Sequence, residues 1–392
     1  MIPVAEARKL IEQNCKGSRE EVLRLIDALD RALSADVISP MDTPPFHQSA
    51  VDGYAFRFSD WDRKAGLEVL GEVQAGNVYG SEIKSTQAIR IFTGAPVPDG
   101  LDTVVMQEKV EVQGDFIYIK DEPLVAGANV RLRGSQTKTG DVVLKKGHRM
   151  TPASISFLAS LGILEVPVFA NPYIRIIVTG KELVLPGGKI EGGQIYESNS
   201  FALGTALRAM GISPIAVEIV EDDEPAIMHA ITTALDADIL ILTGGASVGL
   251  YDLVPSSLEK CGVQKIFHKV KQKPGKPFYF GTYVDTLIFA LPGNPAAVLS
   301  CFYEYITPAI GRFTGRQYQK RQKMILAHDF QKKSGLTHFM KGKTKANTVF
   351  ILDHQESYLM NSFAHADALV ELEEDREVFL KGDLVDVLMI LF

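Results

Sequence analysis

Residues 237–252, ADILILTGGASVGLYD, decide the fold. Ile239, Leu240, Ile241 and Leu242 follow one another with no polar break, the pattern of a short strand buried on both faces. The turn TGGASVG comes directly after it. Gly244, Gly245 and Gly249, with Ser247 between them, let the backbone approach a ligand closely. A strand running into such a turn presents bare N–H groups at its carboxyl end, where anions bind in open α/β sheets. Asp252 adds a carboxylate near those donors, a combination suited to a nucleotide-like ligand with a divalent metal. Taken alone, the stretch also reads as an ordinary tight turn between strand and helix.

The flanking sequence repeats the same grammar. Residues 174–178, IRIIV, predict a strand ending in TGKELVLPGG, which carries Glu182. Asn199 or Ser200 is placed to cap a helix over 201–210 that stops at Gly211. Residues 214–220 predict the next strand, ending in Glu221, Asp222 and Asp223, and a helix follows over 224–235. Lys273 and Lys276 bracket Pro274 and Gly275. Residues 286–295, TLIFALPGNP, then predict a strand, a turn and the start of another helix. Such alternation implies a parallel sheet with helices on both faces, whose strand-to-helix turns share one edge. Glu182, Asp222, Asp252, Gly244, Gly245 and the turn Pro292, Gly293, Asn294, Pro295 would line one crevice, with Lys273 and Lys276 from an adjoining loop. Asp222 and Asp252 suit a shared Mg²⁺, which takes only one or two protein carboxylates.

Outside this unit, residues 4–34 predict two helices. The second has Ser18 and Glu21 as a capping box and Val22, Leu25, Ile26, Leu29 and Leu33 as its apolar stripe. Pro44 and Pro45 exclude a helix from 39–57, where Asp52 sits in a turn that either presents it to a ligand or merely joins two strands. Residues 68–118 read as β, and the turn 91–100, IFTGAPVPDG, holds Thr93, readable as a ligand donor or as a simple turn cap. The basic run over 127–150 reads first as a solvated face. Thr151 and Pro152 open a short helix over 151–163. Residues 317–392 predict a small barrel or sandwich without a cluster of chemical residues.

The whole chain has 392 residues, 46% apolar and 23% charged, which implies two to four domains. A net charge of −7 argues against nucleic acid as the main partner. No apolar run approaches the length of a membrane span. Cys15, Cys261 and Cys301 form neither a zinc pattern nor a disulfide framework, which fits a reducing, cytoplasmic setting.

In this order and spacing, PPFHQSAVDGYAFR, IFTGAPVPDG with DTVVMQE, TGKELVLPGG, TGGASVGLYD, KPGKP and LPGNP resemble the molybdopterin molybdenumtransferase family, the MoeA family, which includes the E domain of gephyrin. The similarity covers essentially the whole chain. It implies a multidomain α/β plus β fold. The parts would be a discontinuous helical linker (1–43 and 134–170), an inserted β-rich domain (44–133), a parallel α/β domain of the MoaB/MogA kind (171–315) and a C-terminal β-barrel (316–392). It implies a cytoplasmic homodimer whose site lies between the α/β domain of one subunit and the β domain of the other. The implied reaction is insertion of molybdate, or tungstate in a variant, into the dithiolene of adenylylated molybdopterin, with release of AMP. A contact with molybdopterin adenylyltransferase is implied too, and neither nucleic acid nor membrane.

Carried over position by position, Asp52, Thr93, Glu182, Asp252, Lys273 and Lys276 are the implied catalytic residues. Gly244, Gly245, Ser247, Gly249, Pro292, Gly293, Asn294 and Pro295 bind substrate, and Asp222 with Asp252 holds Mg²⁺. Three positions depart from the family pattern: Lys181 in place of an acidic or amide residue, Gln136 in place of an aspartate, and Val51 in place of methionine. Two rival readings remain: a molybdopterin-binding scaffold without turnover, and an adenylyltransferase-like nucleotide binder, against which the motif-bearing segments before residue 171 speak.

Overall fold

The computed structural model describes residues 1–212, 215–245 and 253–390. Two compact units emerge: Met1–Val22, Asp30–Ser34 and Pro167–Phe392 form one, and Leu23–Leu29 with Ala35–Val166 the other.

Helix α1 (Val4–Asn14) buries Val4, Ala7 and Ile11 as their spacing requires. The second predicted helix is absent. Residues Glu20–Arg24 instead form strand β1, paired with Glu165–Phe169, and a 3-10 turn follows over Leu25–Ala28. Val22 and Ile26 are 64% and 70% exposed, while Leu25 and Leu33 are buried. The capping signal at Ser18 and Glu21 is local and weak. The Leu25 amide bonds instead to the Leu164 carbonyl at 2.7 Å, so distant pairing overrides the helical stripe.

The second unit is built on strands β2 (Gly53–Phe56), β3 (Leu67–Val73), β4 (Gln87–Ile91), β5 (Thr103–Met106), β6 (Val110–Gln113) and β7 (Phe116–Ile119). Among the described residues their order is β5-β2-β4-β3-β7-β6. Alternation along β2 sends Tyr54 and Phe56 to one apolar cluster and Ala55 to another with Ile89 and Ile91. Helix α2 (Pro152–Ser160) begins as its sequence requires: the Thr151 hydroxyl accepts from the Ser154 amide at 3.1 Å, and Pro152 takes the first position.

The first unit resumes with β8 (Glu165–Phe169) and then the α/β part. Its elements are β9 (Ile174–Thr179), α3 (Asn199–Ala209), β10 (Ile215–Val220), α4 (Glu224–Ala234), β11 (Ile239–Thr243), α5 (Leu253–Lys260), β12 (Gln264–His268), β13 (Tyr279–Tyr283), β14 (Thr286–Leu291), α6 (Pro295–Cys301) and α7 (Thr307–Thr314). The strand order is β10-β9-β11-β14-β13-β12. Ile241, Phe289 and Ile176 meet α3 and α6 on one face, and Leu240, Leu242 and Ile288 meet α4 and α5 on the other. β11 is therefore buried on both sides, each fully buried Leu or Ile contributing about 1.5–3 kcal/mol. The expected parallel sheet is present, with an antiparallel edge added to it. β10, β9, β11 and β14 run parallel, but β13 lies antiparallel to β14 and to β12. Only residues 284 and 285 separate β13 from β14, too few for the crossover that parallel pairing demands.

A π-helical turn, Phe302–Ile306, joins α6 to α7 and carries Glu304, whose side chain has no exposed surface. Arg8 of α1 and Arg321 both ion-pair with Glu304 and with Glu371. Strands β15 (Arg321–Leu326), β16 (Thr337–Lys345), β17 (Thr348–Ile351), β18 (Ala368–Leu372) and β19 (Leu384–Met389) close into a barrel in the order β16-β17-β15-β19-β18, with β18 returning to β16. Closure settles the choice between barrel and sandwich, and it removes exposed sheet edges. Among the described residues, no helix is long and apolar enough to cross a membrane.

Candidate functional site

The carboxyl ends of β9, β11 and β14 open onto a cleft of about 770 Å³. It gathers Glu182, Gly244, Lys273, Lys276, Pro292, Gly293, Asn294 and Pro295, each expected there from sequence. The geometry at the end of β11 admits only glycine: Gly244 has φ +92°, and a Cβ on it would sit 1.9 Å from the Thr179 carbonyl oxygen. Beside it, a Cβ on Gly245 would lie 3.8 Å from Asp222 Oδ1, which accepts a hydrogen bond from the Thr179 hydroxyl at 3.1 Å. Asp222 thus stands close to the glycine turn. Ser247, Gly249 and Asp252 lie outside the described residues.

Helix α3 starts differently from expectation. Ser198 occupies the cap position without a side-chain cap bond, and Asn199 is already helical. The Asn199 amide donates to the Gly293 carbonyl at 2.9 Å, tying the helix start to the LPGNP turn. Glu197, 1% exposed, does the capping work: it accepts from the Ser200 amide and hydroxyl at 2.8 and 2.5 Å. Asn199 Oδ1 and the Thr243 hydroxyl are buried with no partner among the described residues. Both residues line the cleft.

Lys273 and Lys276 are exposed at the cleft wall. Among the described residues, neither ammonium group is hydrogen-bonded or ion-paired. Two unpaired cations in one concave site form an anion-attracting field. Lys273 pairs in register with His338 of β16. Burial, then the Lys332 and Lys273 charges, push the His338 imidazole down to about 4, so it is neutral near pH 7.

The barrel had shown no chemical cluster in sequence, yet it supplies Leu336, Gln355, Ser357 and Tyr358 to the cleft. Ser357 accepts from the Asn294 amide group at 2.9 Å, and its carbonyl accepts from the Ala296 amide at 3.1 Å. The loop bearing these residues is held from beneath. The Lys341 ammonium, 3% exposed, donates to the carbonyls of His354, Glu356 and Leu359 at 2.8, 3.3 and 3.1 Å. These residues carry no motif; in sequence Asn199 reads only as a candidate helix cap, and nothing singles out Glu197.

Asp52 and Thr93 belong to the other unit. Asp52 Oδ1 accepts from the Thr93 amide at 2.8 Å and from its hydroxyl at 2.7 Å. These two donors hold the Asp52 carboxyl below its usual range. Thr93 is therefore a donor to Asp52 rather than a simple cap of its own turn. In the basic run, Arg133 is ion-paired with Asp42 at 2.7 Å.

Magnesium suits the donor set as far as it is described. Asp222 offers hard carboxylate oxygen, and among the described residues no group of three or more His, Cys, Asp or Glu gathers.

Comparison with known proteins gives a consistent result. Residues 2–162 match the family described as MoeA N-terminal region (domain I and II), residues 175–312 the probable molybdopterin binding domain, and residues 323–390 the MoeA C-terminal region (domain IV). A molybdopterin molybdenumtransferase of Haemophilus influenzae is 36% identical over 397 residues, covering 99% of this chain and 98% of that protein. One from Staphylococcus aureus is 31% identical over 401 residues, covering 99% and 95%. The crystal structure of a molybdopterin biosynthesis MoeA protein from Pyrococcus horikosii superposes with a TM-score of 0.90 at 29% identity, covering 100% of both chains.

Proposed function

This chain belongs to the MoeA family of molybdopterin molybdenumtransferases, and from that membership we propose that it inserts molybdate into the dithiolene of adenylylated molybdopterin, hydrolysing the adenylate and releasing AMP. The observation that carries the proposal is the pairing of Lys273 and Lys276, both without partners among the described residues, in one cleft with Glu182 and the LPGNP turn.

Each residue then has a physical task. Lys273 and Lys276 neutralise oxyanion charge on molybdate or on the adenylate phosphates, in a site where preorganised donors cost no reorganisation. The amides of the turns after β11 and β14 add donors, and the Asn199–Gly293 and Asn294–Ser357 bonds hold the second turn rigid. The buried Thr243 hydroxyl and Asn199 Oδ1 offer ligand hydrogen-bonding capacity at the cleft floor. Asp222 and Asp252 would hold Mg²⁺, which when bound supplies Lewis-acid polarisation of the adenylate phosphate. Hydrolysis adds water across the phosphoanhydride: the bridging P–O bond breaks, a new P–O bond to water forms, and AMP leaves. The homodimer remains part of the proposal, with the Asp52–Thr93 pair of one copy serving the cleft of the other.

AMP release from adenylylated molybdopterin, followed by chromatography with Mg²⁺ while molybdate and then tungstate are titrated, tests the reading. Molybdate-dependent release is expected, falling about a hundredfold in Lys273→Met. Release with tungstate alone would move the metal. No release from folded protein would favour the scaffold reading. Mixing Asp52→Asn and Lys273→Met subunits tests the shared site: a mixed dimer regains one intact site, and unrestored activity despite subunit exchange would exclude sharing.

A further inference from the structure

Behind the two exposed lysines stands a buried chain of hydrogen bonds that no motif announces. Gln272 is 1% exposed. Its side-chain amide donates to the carbonyls of Pro274 and Gly275 at 3.1 and 3.2 Å and approaches Cys301 Sγ at 3.4 Å, and its oxygen accepts from the Tyr305 hydroxyl. We propose that Gln272 and Tyr305 are positioning residues that hold the 273–276 loop so that Lys273 and Lys276 converge on one oxyanion, a proposal that rests on the reading of the cleft as the molybdate-insertion site.

The chemistry of the chain admits one polarity. Both loop carbonyls can only accept, so the amide nitrogen of Gln272 must face them. Its oxygen then faces Tyr305, which must donate. Burial raises the Tyr305 phenol well above its ordinary range, so the proton stays available at working pH. The chain fixes the amide in the orientation that grips the loop.

The loop has few other holds at its centre. At its ends, the Lys276 carbonyl accepts from the Val270 and Phe278 amides, each at 3.0 Å, and Gln272 and Lys273 pair with Thr337 and His338. Between the lysines lie only Pro274, which has no N–H, and Gly275. Gly275 has φ +86°, and a Cβ there would sit 2.5 Å from Cys301 Sγ and 2.8 Å from Gln272 Nε2. The two carbonyls of this centre therefore press inward on Gln272, leaving the lysines at either end to face the cleft. Because neither ammonium is paired among the described residues, the loop backbone decides where their charges sit.

Tyr305 is suited to this task because its ring is held independently of its hydroxyl. It stacks on Phe278 with centroids 4.7 Å apart. It also follows Glu304 in the π-helical turn, which Arg8 and Arg321 anchor. Tyr305→Phe therefore removes one hydrogen bond and keeps the packing.

The test uses the full chain with Tyr305→Phe, Gln272→Met and the double variant. Molybdate binding is measured by calorimetry, and AMP release is followed with molybdate and adenylylated molybdopterin titrated in separate series. Tyr305→Phe is expected to weaken oxyanion affinity or raise its KM about tenfold, the worth of one buried hydrogen bond, with kcat within about twofold and a melting temperature lowered by a few degrees at most, so that the protein stays folded at the assay temperature. Whichever anion shows the rise is the one the lysines meet. The double variant should match Gln272→Met alone, because both residues act through one chain. Unchanged affinity for both anions, additive losses in the double variant, or an affinity loss that disappears when the assay is run well below the variant's melting temperature would overturn the proposal. Calorimetry needs no turnover. An inactive wild type would count against the transferase reading, while its binding titration would still judge the positioning chain.

Discussion

Asp52 accepts from two donors on a single residue, the amide and hydroxyl of Thr93, and these hold its carboxyl below the usual range. Thr93→Val removes one of them. The Asp52 carboxyl should then titrate nearer its ordinary range, as read by NMR, and an unmoved value would show that the amide alone sets it. His338 offers a second test. Its folded-state value is pushed down to about 4 from a usual 6.5, so as pH falls through that window the unfolded chain binds the proton first. Stability should therefore decline from pH 6.5 towards 4. His338→Gln, which cannot titrate, should flatten that part of the curve in urea denaturation. The residues of these pairs were unequally legible. Asp52 and Thr93 sit in recognisable turns, whereas His338 owes its low value to burial, to nearby Lys332 and to Lys273, which is distant in sequence and brought close by the pairing of residues 272 and 273 with β16.

At the scale of elements, the ion-pair cluster ties α1 and the π-helical turn to barrel strands β15 and β18. Its members differ in their access to water: the Glu304 side chain has none, whereas Arg8 and Arg321 are 31% and 34% exposed. Losing Arg321 leaves the buried Glu304 carboxylate with Arg8 alone, but losing the carboxylate leaves guanidinium groups that can hydrate and still meet Glu371. Arg321→Met, which removes charge-assisted bonds but not Glu304's other partner, is accordingly expected to cost about 2 kcal/mol, and Glu304→Gln about 1 kcal/mol, both read from denaturant unfolding. The reverse order would sink this account. The same scale explains the failed helix at residues 18–33. Its stripe had the right period, but β1 found a partner in β8 that no local pattern could reveal.

For the whole molecule, the cleft is an assembly of α/β turns with a barrel loop. If Mg²⁺ serves the reaction and not the fold, chelation should stop AMP release and leave the melting temperature unchanged. A large fall in melting temperature would contradict that expectation. What the sequence by itself determined was each local instruction: a buried strand at 239–243, glycine where the β11 turn meets Thr179, the lysines bracketing Pro274 and Gly275, and the sheet edge that the strand-to-helix turns share. Those are legible because backbone conformation and strand burial are written within a few consecutive residues. The tertiary structure alone decided the strand at Glu20–Arg24, the closure of the barrel, and the arrival of Gln272, Tyr305, Ser357 and Tyr358 behind and beside the lysines. Their positions depend on pairing and packing between segments far apart in the chain, and no periodicity within either segment encodes its partner.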